Sequence, residues 1–591
     1  MKKIINTPEA VVSEMCRGFA MAHPHVVLDG RYNILRKREI NPQKVTLICG
    51  GGSGHEPAHA GYVGQGLLDA AVCGDVFASP SQIQVYRAIR QTRSEAGTLL
   101  IIKNYSGDMM NFTNAMALAQ EDGMAVDYIK VDDDIAVQDS LYTVGRRGVA
   151  GTVLVHKITG AAAERGMELA QVKAIAEDAA RNVKSLGFAL TSCTVPAKGT
   201  PTFTLAEDEM EFGVGIHGEP GVRREKLLSA DELAHRMVQS LWAELPEDGH
   251  DEGLAVLVNG FGGTPLQELY LLDNSVGKEL RALGCPVQRM LVGNYLTSID
   301  MAGASVSLMG LNAQRKALLN DPCCAPALTI HGEERPCMEQ ETVTAQGAKG
   351  DVHYEKESSE AWSHVEGDCI TRENIIYMVD DMSETIIHNE VPFCELDSYA
   401  GDGDFGMSVA KVFRQLKVEW PEIMAHHSAT IGQFLDSISM IIMEHCGGAS
   451  GPIWGSAFRA AARSVGEKDR LTMADFAQML QAAADGVYRT GARSFGRGAE
   501  VGDKTLMDAL RPCADRLSEC AAAEIAPASA LRLGAEAAVQ GAEKTKDIVA
   551  RMGRAGTVGE RSLGYPDAGA HALGVIFTHL TEQLHFTPEQ A

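Results

Sequence analysis

The run Val45-Thr46-Leu47-Ile48-Cys49 leads directly into Gly50-Gly51-Gly52-Ser53-Gly54-His55-Glu56-Pro57-Ala58-His59. The apolar run is typical of a buried β-strand, and the glycines after it predict a tight loop that a ligand can approach closely. A second apolar run, at 99–103, ends in the loop Asn104-Tyr105-Ser106-Gly107-Asp108. Because ligands bind α/β sheets at the carboxyl ends of strands, both loops are predicted to lie where a ligand binds.

The segments around these loops alternate between strand and helix patterns. We predict helices over 8–22, from Met109 and over about 168–186, with a strand near 125–131. This alternation predicts a mostly parallel sheet covered by helices. A second α/β subdomain, ending near 335, is predicted from extended segments around 187–216, helices near 230–245 and 265–283, and strands at 254–258 and 287–292.

The chain from residue 336 onward has a different character. Residues 336–366 are polar and irregular, as expected of a linker. Beyond them the sequence is rich in Ala, Leu, Met and Glu at helical spacing. Helices are predicted near 371–389, 405–416, 428–446, 450–465, 472–490, 503–519, 526–549 and 569–585. The predicted domains are an α/β half at 1–335 (subdomains about 1–186 and 187–335), the linker 336–366 and an all-α half at 367–591.

Composition excludes several classes of function. The formal charge of −25 over 591 residues argues against a nucleic-acid or anionic-membrane partner. The 13 cysteines show no C-x-x-C spacing, which favours reduced thiols in a cytosolic protein. The start of the chain lacks the apolar core of a signal peptide, and no apolar run approaches the ~20 residues that a membrane-spanning helix needs. We therefore expect a cytoplasmic protein.

The stretch from His55 to His59 formally matches H-E-x-x-H, the zinc-protease motif. That motif needs a continuous helix, and Pro57 between the histidines opposes one. Two interpretations stay open: a loop in which Ser53, backbone N–H groups and His55 hold a small oxygen-rich ligand, or a tight turn with a satisfied histidine. Asp108 is either a helix cap or a carboxylate that faces an imidazole as an acid/base pair.

The stretch Gly213-Val214-Gly215-Ile216-His217-Gly218-Glu219-Pro220-Gly221 matches the dinucleotide fingerprint G-x-G-x-x-G. A Rossmann fingerprint follows the first strand and opens a helix, whereas Pro220-Gly221 would interrupt that helix. The rival interpretation makes His217 a nucleophile whose imidazole nitrogen adds to a carbonyl carbon. A histidine merely buried in a turn also stays open.

Three carboxylates, Asp397, Asp402 and Asp404, lie within eight residues. Their mutual repulsion favours a cation between them, and magnesium shared with phosphate oxygens fits better than calcium because the EF-hand pattern is not met. The alternative is an acidic turn that caps the next helix. The loop 447–451 at a helix start suits an anion, whereas 498–505 is one residue too short for a Walker A loop and follows no strand. A long polar loop at 553–569 is of the functional kind.

Taken together, these motifs resemble the dihydroxyacetone kinase family in its fused, single-chain, ATP-using form. The resemblance covers nearly the whole chain. It rests on G-G-G-S-G-H-E-P at 50–57, N-Y-S-G-D at 104–108, G-I-H-G-E-P-G at 215–221, L-D-x-x-x-G-D-G-D at 396–404, G-D-K-T at 502–505 and G-E-R-S-L-G at 559–564.

The resemblance implies a ketose-binding first half and a nucleotide-binding barrel of antiparallel helices in the second. His217 matches the histidine that forms a hemiaminal with the substrate carbonyl, and His55 and Asp108 match the residues that assist proton transfer. The implied substrate contacts are Gly52, Ser53, Gly54, His55, Lys103 and Asp108, and the implied magnesium ligands are Asp397, Asp402 and Asp404. The implied nucleotide contacts are Phe405, Gly406, Met407, Ser408, Ala449, Ser450, Thr505, Leu506, Arg554, Asp567, Ala568 and Gly569.

The chain departs from the family pattern at four nucleotide-site positions. Phe405 replaces a usual histidine, Ala449 a threonine, Gly556 a serine and Ala568 a proline. The implied magnesium ligands are intact. These departures concern nucleotide affinity rather than reaction class.

The expected reaction is phosphorylation of dihydroxyacetone by ATP with Mg²⁺, in a homodimer. The main alternative is a kinase of the same type acting on another short ketose such as erythrulose. A nicotinamide oxidoreductase using the 213–218 loop and a ketose-sensing subunit without ATP turnover are the two other classes considered.

Overall fold

The computed structural model describes residues 2–137, 145–218, 221–247, 249–333, 337, 356–552 and 559–586. The chain divides into two compact units, Met1–Thr342 and Val343–Ala591. The first unit is α/β and the second is almost entirely helical, which confirms the predicted fold class.

The first sheet of unit 1 has six strands in the order β1-β2-β4-β3-β5-β6. They are β1 (Val26–Asp29), β2 (Ile34–Lys37), β3 (Thr46–Ser53), β4 (Ala70–Val76), β5 (Thr98–Lys103) and β6 (Val126–Val131). Strands β4, β3, β5 and β6 pair in parallel, whereas β1, β2 and β4 pair antiparallel at one edge. All of β5 is buried, as expected of a parallel strand covered on both faces.

Five helices accompany this sheet. They are α1 (Val11–Ala22), α2 (Gln82–Gln91), α3 (Ser106–Glu121), α4 (Thr152–Glu164) and α5 (Leu169–Arg181). The helix predicted over 8–22 is divided, because Pro8–Ala10 forms a 3₁₀ turn before α1. Helix α4 is buried along nearly its whole length, so it belongs to the core of the unit.

The second sheet of unit 1 runs in the order β11-β10-β12-β7-β8-β9. Its strands are β7 (Val183–Ala189), β8 (Glu209–Phe212), β9 (Arg223–Lys226), β10 (Leu254–Gly260), β11 (Val287–Gly293) and β12 (Gly303–Gly310). Among these described strands only β10 and β11 pair in parallel. The accompanying elements are α6 (Ala230–Glu244), α7 (Leu266–Ala282), α8 (Ala313–Asn320) and the hairpin β13 (Cys323–Ala325) and β14 (Leu328–Ile330).

The helix predicted over 168–186 is wrong at its C-terminal end. Helix α5 ends at Arg181, and Val183 already opens strand β7. Strand β7 is buried at every position but one. Val183 and Leu186 are three residues apart with Lys184 and Ser185 between them, a spacing that favours a helix over an alternating strand.

The glycine loop predicted at 50–59 starts later than expected, because Gly50 to Ser53 complete β3. A Cβ on Gly50 would lie 2.5 Å from the carbonyl oxygen of Val72, so this glycine permits close strand packing rather than a turn. His59 precedes the short 3₁₀ helix Ala60–Tyr62, so the H-E-x-x-H stretch forms no continuous α-helix. Helix α3 begins at Ser106 rather than Met109, so that Asp108 lies in its first turn.

Unit 2 is a closed ring of helices. They are α9 (Arg372–His388), α10 (Glu390–Asp397), α11 (Phe405–His426), α12 (Ile431–His445), α13 (Ser450–Val465), α14 (Met473–Phe495), α15 (Met507–Ala522), α16 (Pro527–Lys544) and α17 (Ala568–Gln583). From α11 onward each helix packs on the next, α17 packs back on α9, and α9 packs on α11. This closure confirms the predicted helical barrel, and its interior is an apolar core. The sequence did not indicate the short helix α10.

Four short strands form two pairs in unit 2. They are β15 (His364–Val365), β16 (Cys369–Thr371), β17 (Arg470–Thr472) and β18 (His585–Phe586), paired β15 with β18 and β16 with β17. Of the predicted linker, 338–355 falls outside the described residues, whereas Glu360–Ser363 forms a 3₁₀ helix. Among the described helices none is long and apolar enough to cross a membrane.

Candidate active site

Three loops of unit 1 converge on the imidazole of His217. The ring centroid of His217 lies 4.5 Å from that of Tyr105, 4.8 Å from that of His55 and 5.3 Å from that of Phe77, all edge to face. The structure thus brings together the predicted 50–59, 104–108 and 213–218 loops. His217 itself is partly accessible to solvent, as a residue that meets a ligand must be.

The loop around His217 depends on two glycines. Gly213 and Gly218 have φ angles of +77° and +74°, the left-handed region that other residues seldom adopt. A Cβ on Gly218 would also lie 2.5 Å from the Cys193 sulfur. These glycines shape the turn that carries the histidine, whereas Glu219 and Pro220 fall outside the described residues.

His55 is fully buried, and its Nδ1 lies 2.8 Å from the carbonyl oxygen of Thr297. Because a carbonyl only accepts hydrogen bonds, Nδ1 carries the proton and Nε2 presents a lone pair. Nε2 has no hydrogen-bond partner among the described residues. Burial, aided by the charge of Lys103, lowers the pKa of His55 to about 3, so this imidazole is neutral at physiological pH.

Lys103 ends β5, and its Nζ lies 3.4 Å from Oδ2 of Asp108. Both side chains are buried. A Cβ on Gly51 would lie 2.9 Å from this Nζ, so the absence of a side chain there leaves room for the ion pair. The pair places one cation and one carboxylate at the strand end where a ligand was predicted.

The other predicted ketose contacts already have internal partners. The Ser53 hydroxyl donates to the carbonyl oxygen of Gly74 over 2.7 Å, and the Gly54 N–H donates to the Glu56 carboxylate. A Cβ on Gly52 would lie 2.6 Å from the backbone nitrogen of Ala78. These residues shape the loop, and the Ser53 oxygen keeps acceptor capacity.

The environment of His217 holds it neutral. Burial is the main cause that lowers the pKa of His217 well below its usual value. Repulsion from His55, which acts only if both rings carry a proton, and the positive charges of Lys103 and Arg147 lower it further. A neutral imidazole keeps a lone pair on one ring nitrogen, which a nucleophile requires. The site is therefore suited to attack on an electrophilic carbon.

Arg147 is a residue that sequence reasoning missed. Its buried guanidinium donates from Nη2 to the Gly213 carbonyl oxygen over 3.0 Å and pairs with Asp134 at 2.6 Å. It therefore anchors the residue where the His217 loop leaves β8. No motif surrounds Arg147 in the sequence, so only the fold reveals this role.

Unit 2 carries the predicted acidic cluster. Asp397 ends α10 and Asp404 immediately precedes α11. One carboxylate oxygen from each of Asp397, Asp402 and Asp404 lies within 4.8 Å of the other two. The Asp397 carboxylate also accepts a 2.9 Å hydrogen bond from the Gly403 N–H, which fixes the turn. A set of hard oxygen donors at this spacing fits magnesium.

A cleft adjoins this cluster and contains most of the predicted nucleotide contacts. Its lining includes Phe405, Ser408, Ala449, Ser450, Thr505, Leu506, Asp567, Ala568 and Gly569. Gly406 and Met407 do not line it: a Cβ on Gly406 would lie 2.0 Å from the Glu390 carbonyl oxygen, and the Met407 side chain is exposed. Arg554 and Gly556 lie outside the described residues.

Lys504 does not act as a Walker A lysine. Its buried ammonium donates to the carbonyl oxygens of Thr545, Tyr565 and Ser562, the first two at 2.8 and 2.7 Å. With these three donors engaged, it holds the 545 and 562–565 segments together beside the cleft. Asp567 also lines the cleft, and burial raises its pKa to about 7.

We predict that His55 makes the stability of unit 1 sensitive to acid. Its pKa is about 3 when folded and about 6.5 in an unfolded chain, so only the unfolded state takes up the proton between those values. Stability is therefore lost as pH falls below about 6.5, by about 1.4 kcal/mol per pH unit.

The measurement compares wild type with His55→Asn by denaturant unfolding at several pH values between about 8 and 5. The contributions of the other histidines to the pH dependence of stability are common to both proteins and cancel in this comparison. Hydrogen exchange of the β3 amides assigns the transition to unit 1. Equal pH slopes in the two proteins would contradict the neutral, buried state of His55.

We predict that Arg147→Met destabilises unit 1 by about 3–5 kcal/mol, because Asp134 is then buried without its partner. The control, Arg165→Met, removes a pair with Asp321 that is substantially exposed, and we expect it to cost at most about 1 kcal/mol. Denaturant unfolding gives the energies, and hydrogen exchange of 209–218 reports the loop. An equal loss of unfolding free energy in the two variants would refute the anchoring role of Arg147.

Comparisons with known proteins agree with this arrangement of sites. A Dak1 domain model matches residues 17–327 and a DAK2 domain model matches residues 399–582. The chain is 34% identical over 582 residues to a D-erythrulose kinase of Mycolicibacterium smegmatis, covering 97% of both chains. It is 50% identical over 317 residues to the dihydroxyacetone-binding subunit of a PTS-dependent dihydroxyacetone kinase of Listeria innocua, covering 53% of this chain and 96% of that subunit.

Among solved structures, the dihydroxyacetone kinase of C. freundii in complex with AMP-PNP and Mg²⁺ is similar over 98% of this chain and 99% of its own. The TM-score is 0.57 at 31% identity. Since one domain model covers more than half of the chain and the relatives with both halves match along almost their whole length, the chain belongs to the dihydroxyacetone kinase family and is a kinase of small ketoses.

Proposed function

We propose that this kinase transfers the γ-phosphoryl group of ATP to dihydroxyacetone while His217 holds the substrate as a hemiaminal. The observation that carries the proposal is the neutral, partly accessible imidazole of His217 beside His55 and the Lys103–Asp108 pair. We propose 1–335 as the ketose domain, with subdomains about 1–186 and 187–335. The linker would be 336–366 and the nucleotide domain 367–591.

The tether selects for a carbonyl compound. The imidazole lone pair bonds to the carbonyl carbon, the carbonyl oxygen takes up a proton, and the imidazole releases its ring N–H proton. Glycerol offers similar hydroxyl groups but no carbonyl, so it forms no tether. Holding the substrate covalently also restricts the orientation of its terminal hydroxyl, a source of rate enhancement.

Asp108 and His55 then have different roles. The hydroxyl oxygen attacks phosphorus and must lose its proton. Because the pKa of His55 is lowered to about 3, its Nε2 is a weak base that is suited to accepting a hydrogen bond and orienting the hydroxyl. We therefore assign proton abstraction to the Asp108 carboxylate, with Lys103 3.4 Å away as its charge partner.

In unit 2, Asp397, Asp402 and Asp404 would hold magnesium and the adjoining cleft would hold ATP. The metal supplies positive charge against the phosphate oxygens. The C. freundii kinase binds AMP-PNP and Mg²⁺, which supports the same pair of ligands for this chain. A homodimer and a cytoplasmic location stay predictions.

Dihydroxyacetone is the first candidate substrate. The Listeria dihydroxyacetone-binding subunit is 50% identical to this chain over 317 residues, which supports dihydroxyacetone, and the D-erythrulose kinase is 34% identical over 582 residues. The latter similarity makes erythrulose the second candidate. Rates measured with both ketoses at equal concentrations below KM separate the two.

For the tether, we predict that His217→Ala lowers kcat/KM for dihydroxyacetone at least ~10³-fold, because the covalent positioning is lost. In wild type, the carbonyl carbon of ¹³C-labelled dihydroxyacetone is expected to give a protein-bound tetrahedral signal by NMR, and the variant is expected to lack it. His235→Ala, at an exposed histidine, is the control. A variant with wild-type kcat/KM that still excludes glycerol would rule out the tether.

For the metal site, we predict that Asp402→Asn lowers magnesium-dependent turnover at least ~10²-fold, because one of three anionic ligands becomes neutral. The ¹³C signal of bound ketose is expected to persist. Asp436→Asn, which removes a partly exposed pair with Arg459, is the control. Turnover equal to that of the control would exclude Asp402 from the metal site.

A further inference from the structure

A second cluster of metal-binding side chains lies inside unit 1. It consists of Cys49 on β3, His59 in the following loop and His156 on α4. One donor atom from each lies within 4.8 Å of the other two, and all three residues are buried. These side chains have no role in the proposed kinase reaction.

The donors are close to the spacing that a metal requires. Nδ1 of His59 lies 3.1 Å from Nε2 of His156. Zinc binds imidazole nitrogen at about 2.0–2.1 Å and thiolate sulfur at about 2.3 Å, so ligands around tetrahedral zinc are roughly 3.3–3.7 Å apart. Small side-chain shifts would let these three donors bind one ion, with the fourth tetrahedral position left to a non-protein ligand such as water.

The histidine pair is also incompletely satisfied. Nε2 of His59 and Nδ1 of His156 are buried without a hydrogen-bond partner among the described residues. A purely structural pair is expected to use both ring nitrogens, because a buried unpaired polar atom costs about 1–3 kcal/mol. The 3.1 Å contact between the two rings uses one nitrogen of each, so hydrogen bonding among the described residues does not account for the whole pair.

The H-E-x-x-H sequence does not form this cluster. His55 directs Nδ1 to the Thr297 carbonyl and faces His217, whereas His59 faces His156. The fold therefore divides the two motif histidines between different sites, and Cys49 and His156 are the partners that the sequence pattern does not include.

We propose that Cys49, His59 and His156 bind one zinc ion that crosslinks β3, the 54–59 loop and α4. Binding replaces the Cys49 thiol proton with zinc, while each imidazole stays neutral and donates a lone pair. Sulfur and nitrogen donors prefer zinc to magnesium, so this site differs in chemistry from the three-aspartate cluster.

Cobalt(II) is the probe for this site, because thiolate ligation gives a charge-transfer absorption that carboxylates do not. The full chain carries Asp402→Asn to weaken the carboxylate site and is titrated with Co²⁺ after chelator treatment. We expect an absorption that saturates at one equivalent and disappears when Zn²⁺ is added. Because the cluster is buried, a second sample is produced in cells grown with added cobalt.

Matched variants assign the signal. Cys49→Ser is expected to abolish the charge-transfer absorption, His156→Gln to weaken Co²⁺ binding at least ~10-fold, and Cys324→Ser, at an exposed cysteine, to leave both unchanged. Circular dichroism confirms folding, and His156→Gln decides the matter if Cys49→Ser is unfolded. Absence of the absorption in both loaded samples, its persistence in Cys49→Ser or its loss in Cys324→Ser would overturn the proposal.

Discussion

A buried cation, the Lys103 ammonium, is the constraint on which the site in unit 1 depends. It is 1% exposed, pairs with Asp108 and lies 5.1 Å from the centre of the Tyr105 ring. Its field adds to burial in lowering the pKa of both His55 and His217. Because a second positive charge near it is unfavourable, the neighbouring imidazoles stay neutral, and neutral imidazoles are the form that donates lone pairs.

The candidate site in unit 2 is dominated by negative charge, whereas the site in unit 1 contains a buried cation. Three carboxylates converge where α10 and α11 meet, and a cation is needed to offset their repulsion. The lysine nearby does not supply it, since the ammonium of Lys504 is engaged with three backbone carbonyls. Lys504 instead supports the wall of the cleft, and in the proposed function a magnesium ion would offset the charge of the carboxylates.

Much of the fold was predictable from the sequence because its elements are long and strongly patterned. The barrel helices match predicted segments such as 450–465, which is α13, and strand β5 was evident as an apolar run. Failures occurred where local pattern is ambiguous. The spacing of 183–186 favours a helix, although these residues open strand β7. Glycine at position 50 favours a loop, although this residue packs closely against Val72 of a strand distant in sequence.

The sequence by itself determined the family and the residue types at the two candidate sites, since glycine loops and aspartate spacing are local properties. Only the tertiary structure decided how these residues meet. It placed His55 against His217 but His59 against His156, and it brought Arg147 to the Gly213 carbonyl. It also determined which groups are desolvated. Burial and long-range contacts control protonation, and neither can be read from spacing along the chain.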